Sequence, residues 1–495
     1  MIRHKLTNDQ KRAAATSAPL AYVESSPGSG KTTVAAERFG VLRYEHHRND
    51  PRGVFAVSFA RSAAAELGRR IAARWGTRTM QQPNLVTTMD GLHRSVVDFL
   101  LRTGLVRWTR NPEQLTVIDS WARHRGASRI YPTGRPDQRW ELGLNGDRLA
   151  LAFRQPESTC FGMPFNARAF YVEALQQGIC THDEIRQLVG VALGRPDLSA
   201  RVDEFLARSC AHLIVDEAFD LNGLDAVLIE RAIRVNIGVT LVGDPWQALY
   251  EWRGARPEMV HRLVVDHHFR VFPMTESFRF QSAETINLAA RLRDRQPVDL
   301  VIGDDDAEVV LAAEWEHVLR AGDNLIPQSF GQLDCQTDAS LTLLLDEVLR
   351  ARLNVRALGL PEAMACLRRN ESTVDLAATL ATLRDASMAV SDVMEVLREA
   401  TRVATIRLPS LPPARRPSRL ERLDRIRQWF LASEPHILGL SFHQAKGRQW
   451  SRVDVALDEE ALAVLRVGLN EQLEGHRKLY VALTRGSHRT RLRPV

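Results

Sequence analysis

The sequence predicts an α/β protein with two parallel-sheet cores, each interrupted by a mainly helical insertion. The first observation behind this is a rhythm of short apolar runs, small or Gly-rich turns and Ala/Arg/Glu-rich helical stretches, which is the pattern of βαβ units. It appears at Leu20-Ala21-Tyr22-Val23 and Val54-Phe55-Ala56-Val57, and returns at His212-Leu213-Ile214-Val215 and Val239-Thr240-Leu241-Val242. A second block follows near His436-Ile437-Leu438-Gly439-Leu440. The second observation is a pair of stretches of different character between these blocks. One is Arg- and Trp-studded, and the other has amphipathic patterns at Leu341–Leu345 and Val390–Leu397. Residues 1–95 and 206–268 are therefore expected to form the first core, with 96–205 as its insertion. Residues 269–325 and 431–495 are expected to form the second, with a reduced insertion over 326–430. The clearest linker is Pro409-Ser410-Leu411-Pro412-Pro413-Ala414-Arg415-Arg416-Pro417, whose prolines cannot continue a helix.

The chain has 495 residues, 44% hydrophobic and 25% charged, which excludes disordered, collagenous and disulfide-scaffold classes. No apolar stretch approaches the ~18–20 residues that span a bilayer. Met1-Ile2-Arg3-His4-Lys5 leads straight into polar residues, so a cytoplasmic protein away from membranes is expected. Cys160, Cys180, Cys210, Cys335 and Cys366 lie far apart with no Cys-x-x-Cys pair, which fits a reducing compartment and argues against zinc or iron–sulfur sites. A formal charge of +6 permits nucleic-acid binding without requiring it. Only Lys5, Lys11, Lys31, Lys446 and Lys478 among the 66 basic residues are lysine, so the placement of a lysine is informative.

The strongest local signal is Glu24-Ser25-Ser26-Pro27-Gly28-Ser29-Gly30-Lys31-Thr32-Thr33, following a strand and opening a helix as a phosphate-binding loop requires. Glycines let backbone N–H groups wrap phosphates, Lys31 reaches the β/γ oxygens, and the Thr32 hydroxyl binds Mg²⁺. The strict pattern has Gly where this chain has Ser25. Such a loop needs a carboxylate partner, and Leu213-Ile214-Val215-Asp216-Glu217 supplies one. Asp216 would complete the metal coordination and Glu217 would polarise the attacking water. Alone, two acids after an apolar run are more often a strand end or a cap. Joined to the loop, they point to triphosphate chemistry.

In their order along the chain, these and further motifs resemble the UvrD/Rep/PcrA-type superfamily 1 DNA helicases, from residue 6 to residue 485, with little resemblance in the insertions. The resemblance implies RecA-like cores that use ATP and Mg²⁺. Leu6-Thr7-Asn8-Asp9-Gln10 resembles the adenine-reading motif, which implies that Gln10 bonds the base. Ser58 to Leu67, with Phe59, and Thr87 to Leu92, with Thr88, are similar to motifs that touch single-stranded DNA, although Ser62 stands in place of the usual lysine. Val215-Asp216-Glu217-Ala218-Phe219-Asp220 corresponds to the Asp-Glu-Ala-Gln-Asp box. Phe219 there replaces a glutamine that links the nucleotide and DNA sites, a departure expected to weaken coupling more than hydrolysis.

Leu241 to Ala255 is the most specific match. It implies that Gln247 senses the γ-phosphate and that Tyr250, Trp252 and Arg253 meet DNA, and an aromatic beside an arginine suits sequence-tolerant base stacking. Glu276-Ser277-Phe278-Arg279 resembles Asn-Tyr-Arg, with Phe278 stacking on adenine and Arg279 as a first arginine finger. Ser441 to Trp450 is similar to Thr-x-His-x-x-Lys-Gly-Leu-Glu-Phe. His443 would contact DNA, Gly447 would approach the γ-phosphate, and Gln449 stands where a ribose-binding glutamate is usual. Lys478 to Arg485 looks like the final motif, making Arg485 the second finger. Arginine suits that role because its charge is permanent and its planar fork matches phosphoryl oxygens.

The resemblance implies ATP-driven movement on single strands in the 3′→5′ direction, with single-stranded DNA and duplex junctions as partners. In the first insertion, Trp108, Arg110, Arg123, Arg125 and Arg129 could hold duplex DNA, and a solvated Arg-rich helical face accounts for them equally well. A rival reading is a nucleotide-gated sensor or assembly subunit, in which Phe219 and Ser62 mark lost motor coupling. The length and missing appendages loosely resemble the helicase-like subunit of Gabija anti-phage systems, whose partner is a separate nuclease.

Overall fold

The computed structural model describes residues 6–110, 112, 114–118, 140–153, 173–251, 254–304, 306–331, 333, 336–367, 375–401 and 416–495. These residues divide into two compact units, Met1–Arg279 and Phe280–Val495.

The strands in chain order are β1 (Leu20–Ser25), β2 (Gly53–Ser58), β3 (Leu85–Thr88), β4 (Thr116–Ile118), β5 (Trp140–Asn145), β6 (Arg148–Phe153), β7 (Ile179–Thr181), β8 (Cys210–Asp216), β9 (Gly238–Gly243) and β10 (Arg270–Met274) in the first unit. The second unit adds β11 (Val309–Ala312), β12 (Leu325–Pro327), β13 (Ile437–Ser441), β14 (Trp450–Leu457) and β15 (Gly486–Pro494). The main sheet of the first unit runs β10-β1-β9-β8-β2-β3, and every neighbouring pair is parallel. Helices cover both faces of such a sheet, so its central strands are buried on both sides and read as unbroken apolar runs. β2 and β8 are buried at every position, which is why their hydrophobicity does not alternate. Because the strands are parallel, β1, β8 and β9 all present their carboxyl ends at one edge, the edge where open α/β sheets bind ligands.

One boundary expected from the sequence is corrected. β10 pairs with β1 from Ala21↔Arg270 to Ser25↔Met274, so residues 269–279 belong to the first unit and not to the second core. The sequence misleads because β10 is an edge strand with only its last residue buried, and an edge strand lacks the apolar signature of a central one. In its described residues the first insertion is also less uniformly helical than expected. Besides helices His182–Gly194 and Pro196–Ser209 it holds β4 paired with β7 and a β5–β6 hairpin. That hairpin closes through a two-residue loop with Gly146 at φ 65°, a left-handed conformation that favours glycine.

The second unit contains a five-stranded sheet, β12-β13-β11-β14-β15, again parallel throughout. Its insertion is helical in the described residues and has its own core, in which Leu344, Val348, Leu397, Leu423, Ile426 and Trp429 pack together. Helix Arg416–Leu431 is arginine-rich, yet some of these charges are spent inside the unit. Arg419 meets Asp338 at 2.8 Å with both side chains nearly buried, and Arg427 donates to the Met388 carbonyl, whereas Arg425 pairs with Asp323 at the surface. Residues 409–415 of the expected linker lie outside the described residues, and Arg416 already opens this helix. Among the described residues no helix is long and apolar enough to cross a membrane.

Candidate active site

The loop after β1 turns through two left-handed glycines, Gly28 at φ 75° and Gly30 at φ 84°, before helix Lys31–Val41 begins. Gly28 is required on two counts. Beyond its φ, a methyl group there would lie 2.5 Å from Arg279 Cβ and 2.8 Å from Ser277 Oγ. The loop is fixed by its neighbours: Ser26 N donates to Met274 O at 3.0 Å, Ser277 Oγ to Pro27 O at 2.6 Å, and Phe278 N to Gly28 O at 3.0 Å. The Glu276–Arg279 motif is thus laid directly against the phosphate loop. Phe278 keeps its ring 45% exposed, and Arg279 N bonds to Ser277 Oγ at 3.2 Å.

Four predicted residues converge at the sheet edge. Lys31 Nζ lies 3.2 Å from Glu217 Oε2, and Thr32 Oγ1 donates to Asp216 Oδ2 at 3.2 Å. Glu217 has a left-handed backbone at φ 56°, which costs of order 1–3 kcal/mol for a residue with a Cβ. Its N–H donates to Asp216 Oδ1 at 3.0 Å, and this locks the turn that aims its carboxylate at Lys31. Burial pushes the Asp216 carboxyl up to about 7, reinforced by the like charge of Glu217 and opposed by Lys31. A buried carboxylate beside a hydroxyl, held short of full ionisation for want of positive charge, is a fitting pair of hard oxygen donors for a divalent cation. Thr32 and Asp216 would hold Mg²⁺ here.

Gln10 sits at the other side of the loop. Its Oε1 accepts from Thr7 N at 3.0 Å in a reciprocal helix cap, and its Nε2 donates to Ser29 O at 2.8 Å. The amide expected to read a base therefore also braces the phosphate loop, close enough that a methyl group on Gly30 would lie 2.8 Å from Nε2. Thr33 Oγ1 accepts from Arg70 at 2.5 Å. Just after β9, Asp244 caps the turn Pro245–Gln247 and its Oδ2 accepts from Gln247 Nε2 at 2.6 Å. Sequence reasoning passed over Asp244, although Asp followed by Pro is the signature of a capped first turn. It read Ser25 only as a departure from glycine, whereas its Oγ donates to Gly243 O at 2.8 Å and ties the phosphate strand to β9.

Of the residues expected to meet nucleic acid, Thr88 caps helix Met89–Arg102 by accepting from Gly91 N at 3.1 Å. Phe59 is half-buried against the core of the first unit, and Tyr250 is half-buried. Trp252 and Arg253 lie outside the described residues, as do Arg123, Arg125 and Arg129. Trp108, expected in an aromatic-and-basic cluster, is instead a core residue, 3% exposed with its indole N–H donating to Leu175 O at 2.5 Å. Phe219 is 2% exposed, edge-on to Tyr22 at 6.2 Å and beside His261 at 5.1 Å.

In the second unit, Arg485 is fully buried and donates through Nε to Val481 O at 2.8 Å. His443 lies in a short capped helix after β13, Gly447 adopts φ 83°, and Gln449 is exposed.

Fold and site together define a nucleotide-site α/β protein with a phosphate loop on β1 and a carboxylate pair on β8. A family profile described as an AAA domain matches residues 10–253. DNA helicase II of Salmonella typhimurium is 25% identical over 288 residues, which is 56% of this chain and 38% of that protein. A probable DNA helicase of Mycoplasma pneumoniae is 25% identical over 350 residues, 66% of this chain and 64% of that protein. The chain therefore spans less than two thirds of the length of either relative. A solved structure of unliganded Pif1 from Bacteroides sp. overlaps 65% of this chain and 56% of that one, with 12% identity and a TM-score of 0.29. Over somewhat more than half of its length the chain is thus similar in sequence to DNA helicases of the DNA helicase II type.

Proposed function

We propose that this chain is an ATP-dependent translocase on single-stranded DNA that couples ATP hydrolysis to strand movement or unwinding, in the 3′→5′ direction. The observation that supports the reading best is the convergence of Lys31, Thr32, Asp216 and Glu217 at one sheet edge. In this arrangement Lys31 and Glu217 neutralise each other. A triphosphate draws the ammonium of Lys31 towards its β/γ oxygens, and Glu217 Oε2 is released to accept a proton from the attacking water. Thr32 and Asp216 would hold Mg²⁺, which would neutralise charge on the phosphates. Gln247, fixed by Asp244, is the γ-phosphate sensor, and Arg279 and Arg485 are the two arginine fingers. Gln10, Ser26, Gly28, Ser29, Gly30, Thr33, Phe278, Gly447 and Gln449 surround the nucleotide. Phe59, Thr88, Tyr250, Trp252, Arg253 and His443 meet the strand.

A second reading, a nucleotide-gated DNA sensor or assembly subunit working with a separate nuclease in anti-phage defence, is favoured by one observation: the apolar, buried Phe219 in place of a linking glutamine. The deciding experiment compares ATP turnover with and without single-stranded DNA for the wild type and Lys31→Ala, then tests forked duplexes with 3′ or 5′ tails. Stimulated turnover and separation from a 3′ tail support the motor. Stimulation without separation supports the sensor or a translocase that moves without unwinding, and absence of stimulation removes the motor.

A further inference from the structure

Helix Met89–Arg102 starts at the capping Thr88, and one turn in, His93 is fully buried. Its Nε2 lies 3.1 Å from Asp225 Oδ1, and Asp225 is itself 1% exposed. Asp225 is fastened to the start of helix Gly223–Arg234: its Oδ2 accepts from Asn222 N at 3.0 Å, and Asn222 Oδ1 accepts from Asp225 N at 3.0 Å. Asn222 follows the short turn Ala218–Asp220, which follows Asp216 and Glu217. A continuous, rigidly capped path therefore leads from the carboxylate pair to Asp225, then across to the helix whose first residue follows Thr88.

The contact has the character of a part that moves. His93 and Asp225 face each other at ion-pair distance, yet neither ring nitrogen of His93 nor Asp225 Oδ1 makes a hydrogen bond. Two buried polar groups left so cost more than apolar side chains of the same shape would. At 3.1 Å the separation already suits a hydrogen bond, so a small reorientation of one helix against the other would align them into a charge-assisted one, which is stronger and directional. Phe219 cannot serve as such a link, because its ring is packed against Tyr22 and His261.

We infer that His93 and Asp225 are a positioning pair that couples the carboxylate motif to the polynucleotide-contacting start of helix Met89–Arg102. The inference rests on the DNA-stimulated ATPase reading above. Neither residue touches nucleotide; the pair acts by setting where Thr88 stands relative to Glu217 as the site fills.

The test measures steady-state ATP turnover with and without a thymidine homopolymer for the wild type, His93→Leu, Asp225→Asn, the double variant, His93→Gln and His93→Asn, with thermal unfolding of each. Basal kcat and the KM for ATP should stay within about twofold of wild type. The stimulation ratio should fall about tenfold in either single variant, and no further in the double variant, as one shared coupling requires. His93→Gln, whose amide reaches Asp225 as Nε2 does, should restore the ratio. His93→Asn, which is too short, should not, and this isomorphous comparison stands even where His93→Leu fails to fold. Equal loss of basal and stimulated turnover, an unchanged ratio, or multiplying effects in the double variant would overturn the inference alone. A wild type that DNA does not stimulate would overturn the functional reading and the inference with it.

Discussion

Replacing Phe219 by Gln, the residue that the resemblance to the Asp-Glu-Ala-Gln-Asp box would place there, is expected to break the protein rather than repair a coupling. The ring is 2% exposed, packed edge-on to Tyr22 and beside His261. It also rests on bare Gly243, where a methyl group would lie 2.8 Å from Phe219 Cδ2. Truncating a buried phenylalanine costs about 3–5 kcal/mol, and the aromatic pairing adds about 0.5–1.5 kcal/mol. Glutamine recovers part of the volume but brings an amide whose burial without partners costs about 1–3 kcal/mol. The net loss should be about 4 kcal/mol, which for a unit of this size lowers Tm by roughly 10 °C. Calorimetric unfolding reads the shift, and ATP turnover with single-stranded DNA reads function below the transition. A Phe219→Gln protein with unchanged Tm and a larger DNA stimulation would refute the packing argument and restore the view that this position is a lost linker.

Three further outcomes follow from the site and its surroundings. Because burial lifts Asp216 to about 7, the folded metal-free protein holds a proton that the unfolded chain releases near pH 4. This contribution to stability is therefore fullest at low pH and declines until about pH 7. Mg²⁺ must displace that proton, so its affinity should rise by up to about tenfold per pH unit below 7 and then level off; calorimetric titration showing a flat profile would reject the assignment. Gly28→Ala should lose nucleotide binding, because the new methyl group displaces Ser277 and Arg279 and forces a left-handed alanine at about 1–2 kcal/mol; a fluorescent-nucleotide titration at wild-type affinity would contradict this. Burial pushes the Cys180 and Cys210 thiols up to about 12, so alkylation at pH 8 should label them only on unfolding, as peptide mapping would reveal.

Much of the candidate site was legible in the sequence because its chemistry is local. A phosphate loop needs left-handed glycines and a lysine within one turn, and an apolar strand ending in two acids needs no distant partner to be noticed. Gly28, Gly30, Lys31, Thr32, Asp216 and Glu217 are of this kind. Residues whose role depends on what packs against them were read less well. Trp108 looked like a surface aromatic among arginines and lies in the core. Arginines of helix Arg416–Leu431 are of the same kind: Arg419 lies buried against Asp338, and Arg427 donates to Met388 O.

By itself the sequence determined the βαβ order, the loop and the acid pair, since these follow from periodicity and from what each backbone turn permits. Only tertiary structure decided the rest: that β10 joins the first sheet, that Gln10, expected to bond a base, also braces the phosphate loop, that Phe219 fills the core, and that His93 meets Asp225 across 132 positions of chain. Such pairings are chosen by the packing of surfaces distant in sequence, and no local pattern encodes which buried group will face which.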